Sequence, residues 1–125
     1  MSVSHPTAVR SGIANFVVDQ LDEGSPPGAL VFLTSGGTPV ATLPFSATAF
    51  GSASSGVATA AAISSDTNAA GGTIAKAELR NAAGAAKVLC SVTATGGGGD
   101  ITLNSVAVSA GQTVSLSGLT YTAPA

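Results

Sequence analysis

TIAKAELRNAAGAAKVLCSVTA, residues 73–94, alternates with a period of two on both sides of a break. In its first half Ile74, Lys76, Glu78 and Arg80 share one face, and Thr73, Ala75, Ala77 and Leu79 share the other. In its second half Ala86, Val88, Cys90, Val92 and Ala94 alternate with Lys87, Leu89, Ser91 and Thr93. Successive side chains of a strand point to opposite faces, so this pattern reads as two half-buried strands. Asn81-Ala82-Ala83-Gly84 between them is turn chemistry, a side-chain oxygen followed by a residue that tolerates positive φ. The stretch therefore predicts a long β-hairpin whose outer face carries Lys76, Glu78, Arg80 and Lys87.

Working outward, the same period persists. Residues 29–34 and 39–45 are two apolar runs joined by Ser35-Gly36-Gly37-Thr38, which predicts a second hairpin. Residues 56–63 favour a strand through Val57, Thr59 and Ile63, although their alanine content would also suit a helix, and residues 64–72 read as a polar loop. Beyond the hairpin, Gly96-Gly97-Gly98-Gly99 is a break in the pattern, read as a hinge or a tight crossover. Ile101 with Leu103, Val106 with Val108, a turn at 109–112, and Val114 with Leu116 followed by Leu119 with Tyr121 complete the series.

Only the segment before residue 29 changes period. Val9, Ile13, Phe16, Val17 and Leu21 fall at helical spacing, so residues 8–23 predict an α-helix that buries this stripe. Arg10, Asn15, Asp19 and Asp22 take the other face. Thr7 is the expected N-cap, with Gly24 and Pro26-Pro27 as the stop. The expected architecture is one domain over 1–125: an N-terminal arm (1–6), the helix, and a mostly β remainder (29–122). That remainder is read as an antiparallel β-sandwich of about seven or eight strands.

Composition bounds the function. Of the 125 residues only 8% are charged and 4% aromatic, with 16 glycines and a formal net charge of −2. A 45% hydrophobic content argues against disorder, which combines low hydrophobicity with high charge. Lys and Arg number four, too few for the clustered cations that phosphate binding needs, so nucleic acid is not an expected partner. No apolar run reaches the ~20 residues of a membrane-spanning helix, and no signal peptide is expected. The single cysteine fits a chain made in a reducing cytoplasm.

The inventory for chemistry is thin. One His and one Cys cannot build a tetrahedral zinc site. His5 has no orienting carboxylate or nucleophile in its neighbourhood of sequence, and reads as an exposed or contact-making residue of the arm. Cys90 falls on the inward parity of its strand, where a thiol serves as a small hydrophobe. Asp66 and Asp100 read as turn formers. No enzymatic activity and no cofactor are expected. The Lys76, Glu78, Arg80 and Lys87 row is first a solvated strand face and second an interface. With Val3, His5 and Tyr121, these residues make up the candidate contact set. Sheet edges with so few charges have little to block pairing with another chain, which favours an assembled state.

Several stretches are familiar as an ordered series. They are Ser4-His5-Pro6-Thr7-Ala8-Val9-Arg10, Phe16-Val17-Val18-Asp19-Gln20-Leu21-Asp22, Ala49-Phe50-Gly51 with Gly56-Val57-Ala58-Thr59-Ala60, and Ser91-Val92-Thr93-Ala94-Thr95 through Asp100. Ser109-Ala110-Gly111-Gln112-Thr113-Val114 and Leu119-Thr120-Tyr121-Thr122 close it. In this order the chain resembles the small virion structural proteins of tailed bacteriophages and prophages. The resemblance implies a non-enzymatic particle component, and it carries no catalytic residues to transfer. The preferred role is a capsid decoration or cement protein on the outer shell. Its partners would be the major capsid protein and further copies of itself, as a dimer or trimer. A tail, baseplate or neck component is the alternative, and a carbohydrate-binding module facing the host is a second.

Overall fold

In the computed structural model of the chain, residues 4–22, 28–46, 48–103, 105–116 and 119–123 are described. Helix α1 (Thr7–Asp19) runs on into a 3-10 turn (Gln20–Asp22). The strands follow: β1 (Ala29–Leu33), β2 (Pro39–Pro44), β3 (Val57–Thr59), β4 (Gly72–Thr73), β5 (Lys76–Arg80), β6 (Ala86–Ala94), β7 (Ile101–Leu103), β8 (Ala107–Val108) and β9 (Thr120–Thr122). The protein is thus mostly β with one helix. Five strands form one sheet in the order β2-β1-β5-β6-β7, and the pairs β3-β9 and β4-β8 form two small sheets.

Both predicted hairpins are present. β1 and β2 pair antiparallel around a turn closed by Thr34 N–H to Thr38 O, 2.9 Å. β5 and β6 pair antiparallel from Lys76 opposite Ser91 to Arg80 opposite Ala86, with an irregularity between Leu79 and Arg80. Asn81 organises the turn between them. Its Oδ1 accepts from Ala83 N–H (3.1 Å) and Ala85 N–H (2.9 Å), and its own N–H donates to Ala85 O (3.0 Å). β1 lies between β2 and β5 and is buried on both faces from Leu30 to Leu33, the placement that an unbroken apolar run demands. Leu30, Phe32, Ala41, Leu43, Ala77, Leu79 and Val92 enter a single core that also takes Ala58 of β3, Val114 and Ala123.

Three expectations are corrected. Ile74, placed on the charged face, is 2% exposed, because it precedes β5 and its N–H donates to Val106 O instead of following the strand's alternation. The connection through Gly96–Gly99 returns β7 parallel to β6, with Val92 opposite Ile101, so the sheet is not wholly antiparallel. This crossover is tight: a Cβ on Gly97 would lie 2.7 Å from the Thr93 side chain, and Gly96 and Gly98 sit at φ +92 and +80. The expected turn at 109–112 is present, closed by Gln112 N–H to Ser109 O at 3.0 Å, although the segments on its two sides take partners elsewhere. β8 pairs with β4, and Val114 exchanges hydrogen bonds with Asp66, because the backbone of the polar loop 64–72 needs partners.

The third correction concerns α1. Ala14, Val18 and Leu21 are its buried residues, while Val9 and Phe16 of the expected core stripe are 46% and 68% exposed. Polar side chains of the buried face explain the choice. Ser11 Oγ accepts from Gly56 N–H (3.0 Å), Asn15 Oδ1 from Ala53 N–H (2.7 Å) and Asp22 Oδ1 from Ala49 N–H (2.9 Å). Three loop donors would otherwise lie beneath the helix unpaired, each costing roughly 1–3 kcal/mol. Thr7 is the first helical residue, not the cap; Pro6 holds the cap position, without a side-chain hydrogen bond. The expected stop at Gly24 and Pro26-Pro27, and the end of the predicted helix at Glu23, lie outside the described residues.

Candidate interaction surface

The two long edges of the five-stranded sheet are treated differently. Along β2, Val40 O accepts from Ala70 N–H (2.9 Å), Thr42 N–H donates to Asp66 Oδ2 (2.9 Å) and Pro44 O accepts from Ser64 N–H (2.9 Å). Successive outward groups of that strand are therefore occupied by the chain itself. Asp66, read as a turn former, does both jobs, since its Oδ1 also accepts from Asn68 N–H at 2.9 Å.

On the far side, β7 covers only Val92–Ala94 of the nine-residue β6. Ser91 is next, and its N–H donates to Asp100 Oδ2 (2.9 Å), with Asp100 N–H donating back to Ser91 Oγ (3.0 Å). Val92 N–H points the other way, to Ala75 O at 3.2 Å. Alternation then aims the Leu89 N–H and carbonyl away from β5, to the side where β7 does not reach. The Leu89 side chain is 73% exposed. Its parity with Lys87 and Ser91 is readable in the sequence; that a large apolar residue there would stand uncovered is not.

Beside this edge lies a groove of about 400 Å³, lined by Val88, Leu89 and Cys90, by Leu119 and Tyr121, and by Asp100. Burial, then the Asp100 carboxylate, push the Cys90 thiol above its ordinary range. A thiol held neutral is a poor nucleophile and a good apolar wall. The groove thus offers dispersion contacts, main-chain hydrogen bonds and one carboxylate.

The remaining expected contact residues distribute as follows. Lys76, Glu78, Arg80 and Lys87 do share the outer face of β5 and β6. Within that row Arg80 Nη2 lies 2.6 Å from Glu78 Oε1 and Arg80 Nε donates to the same oxygen at 2.8 Å, so those two charges largely satisfy each other. Tyr121 stands apart from them, on the groove wall. His5 is exposed ahead of α1, and Val3 lies outside the described residues. The stripe of Val9 and Phe16 is a further apolar surface that the sequence assigned to the core. Phe32, Phe45 and Phe50 are buried, the last two with ring centroids 6.0 Å apart, which leaves Phe16 as the exposed phenylalanine.

Among the described residues no three His, Cys, Asp or Glu side chains are grouped closely enough to hold a metal ion, and no helix is long and apolar enough to cross a membrane. Compared with protein-family models, with curated proteins and with solved structures, the chain matches none.

Proposed function

We propose that this protein is a non-enzymatic structural component of a tailed-phage particle, acting as a decoration or cement protein on the capsid. The observation that carries the reading is exposed apolar surface among the described residues of a chain with very few charges. Val9 and Phe16 on α1 and Leu89 on β6 are exposed, while only 8% of residues are charged. Val9 and Phe16 stand two turns apart on one side of α1, and contiguous exposed apolar surface marks contact sites. The ordered resemblance to small virion proteins supplies the setting. In this reading the two small sheets are the incomplete second layer of a β-sandwich, closed over the core face of the five-stranded sheet.

A shell filled with nucleic acid is pressed outward. A clip across subunit boundaries adds contact area where the lattice would open, and many weak copies suffice when neighbours reinforce one another. The major capsid protein is the proposed partner, with the capsid surface as the location.

The test is the copy number of this protein per purified particle, measured by quantitative mass spectrometry against the major shell protein. A number equal to the shell protein, or a simple lattice fraction of it, supports decoration. A handful of copies, or absence from DNA-filled heads freed of tails, overturns it and favours a neck, tail or baseplate position.

A further inference from the structure

We infer that the outward face of α1 is a self-association face. On it α1 of a second copy packs antiparallel about a two-fold axis, with Val9 of each copy opposite Phe16 of the other. The inference goes beyond the particle reading and does not depend on it, because every observation behind it belongs to the isolated chain.

The first observation is the spacing of the stripe. Val9, Gly12, Ile13 and Phe16 fall at i, i+3, i+4 and i+7, the four positions that frame one depression on a helix surface. Val9 is 46% and Phe16 68% exposed, and Gly12 is exposed between them. Ile13 is half-buried at the margin, where it packs against the core. The second observation is Gly12 itself. Glycine weakens a helix interior relative to alanine, yet nothing within the chain requires it here. Its φ is not positive, and a Cβ at this position would meet nothing within 4 Å. A glycine on the open side of a helix lets a second backbone come close.

The third observation is charge, and it selects both the occupant and its direction. A helix carries partial positive charge at its N-terminal end and partial negative charge at its C-terminal end. α1 places its own charges against that order. Its first turn holds no acidic residue, and Pro6 at the cap position supplies no side-chain hydrogen bond. Its last turn holds no basic residue and ends on the exposed Asp19. A second, antiparallel copy supplies what each end lacks. With Val9 opposite Phe16, the same register sets Gly12 opposite Ile13 and brings Asp19 level with Pro6, the uncapped start of the other helix. An acidic side chain is stabilising there, and the two-fold provides it twice per dimer. A parallel pair would instead set Asp19 beside Asp19. Two helices of 13 residues bury less than the roughly 1,200 Å² of a stable interface, so the dimer is weak and forms at high concentration. In dilute solution Phe16 stays in water.

Cross-linking of the full chain in a Cys90→Ala background tests face and direction together. Residue 12 lies beside the two-fold, at a Cα separation of about 6 Å from its mate for helix axes about 8 Å apart, within disulfide range. Residue 9 lies roughly 11 Å from its mate in the same pair, too far to bridge. Under mild oxidation, Gly12→Cys is expected to give a covalent dimer about ten-fold faster than Ser115→Cys, a control at an exposed site outside the helix. Val9→Cys should react no faster than that control. Adding Phe16→Glu to Gly12→Cys should slow the reaction about ten-fold, by placing a charge in the apolar contact. Adding Asp19→Lys should slow it several-fold, by bringing a cation to the start of the other helix. Sedimentation equilibrium of the unsubstituted chain should show a dimer that grows with concentration and that Phe16→Glu abolishes. Gly12→Cys reacting no faster than the control, or at a rate indifferent to both added substitutions, would overturn the self-association face. Equally fast reaction of Val9→Cys would overturn the antiparallel pairing. A chain that is monomeric at every concentration, and whose Phe16→Glu variant loses occupancy on purified capsids, would give this face to the shell protein instead.

Discussion

Asn81 shows how much one polar side chain can determine. It is 8% exposed and holds the β5–β6 turn through two acceptor contacts from its Oδ1. Asn81→Ala removes that acceptor and strands the N–H groups of Ala83 and Ala85. A loss of about 1–3 kcal/mol is expected, read as a lower urea midpoint. Cys90 behaves in the opposite way, contributing by staying neutral. Its raised pKa means that the folded state favours the protonated thiol. This contribution is complete below the unfolded thiol range and is lost as pH rises through the folded value. Wild type should therefore lose more stability than Cys90→Ala between neutral and strongly alkaline pH. Asp100→Asn should speed alkylation of Cys90 by removing the charge that opposes the thiolate. An unchanged rate would show that burial alone sets the thiol.

Among the elements, α1 is where local pattern and tertiary placement part. Its exposed stripe looks more like a core face than its buried one, since Ser11, Asn15 and Asp22 lie against the loop residues 49–56. Leu21→Ala, at a fully buried site, should cost about 2–5 kcal/mol. Phe16→Ser should alter the melting temperature little, because the ring is already in water. Equal destabilisation by both would mean that the helix packs by the stripe its sequence suggests. The Gly96–Gly99 crossover makes a related point. A run of four glycines signals a break, but only the contact of Gly97 and Gly99 with Thr93 makes that break a tight return into a parallel strand.

For the molecule as a whole, stability and attachment should separate. Most buried apolar residues belong to one continuous cluster, whereas the described part of the arm, from Ser4 to Pro6, is exposed. Pro6 O still receives the first helical hydrogen bond, from Arg10 N–H at 3.0 Å, so a deletion that spares the helix stops at residue 5. Removing residues 1–5 is expected to leave the unfolding midpoint nearly unchanged while lowering occupancy on purified capsids. Unaltered occupancy would remove the arm from the attachment scheme.

What the amino-acid order determined by itself was local. The period of two placed both hairpins, Asn81 and Gly84 placed a turn, the ALVFL run of β1 marked a strand, and the helical period placed α1. These signals survive because strand and helix geometry repeat over a few residues, whatever the rest of the chain does. The outward row of Lys76, Glu78, Arg80 and Lys87 was legible for the same reason. Tertiary structure alone decided which face of α1 is buried, the parallel return of β7, the pairing of β8 with β4, and the occupation of the β2 edge by residues 64–70. Each depends on which distant backbone groups lack a partner. That requirement is set by where the chain comes together, and no window of sequence contains it.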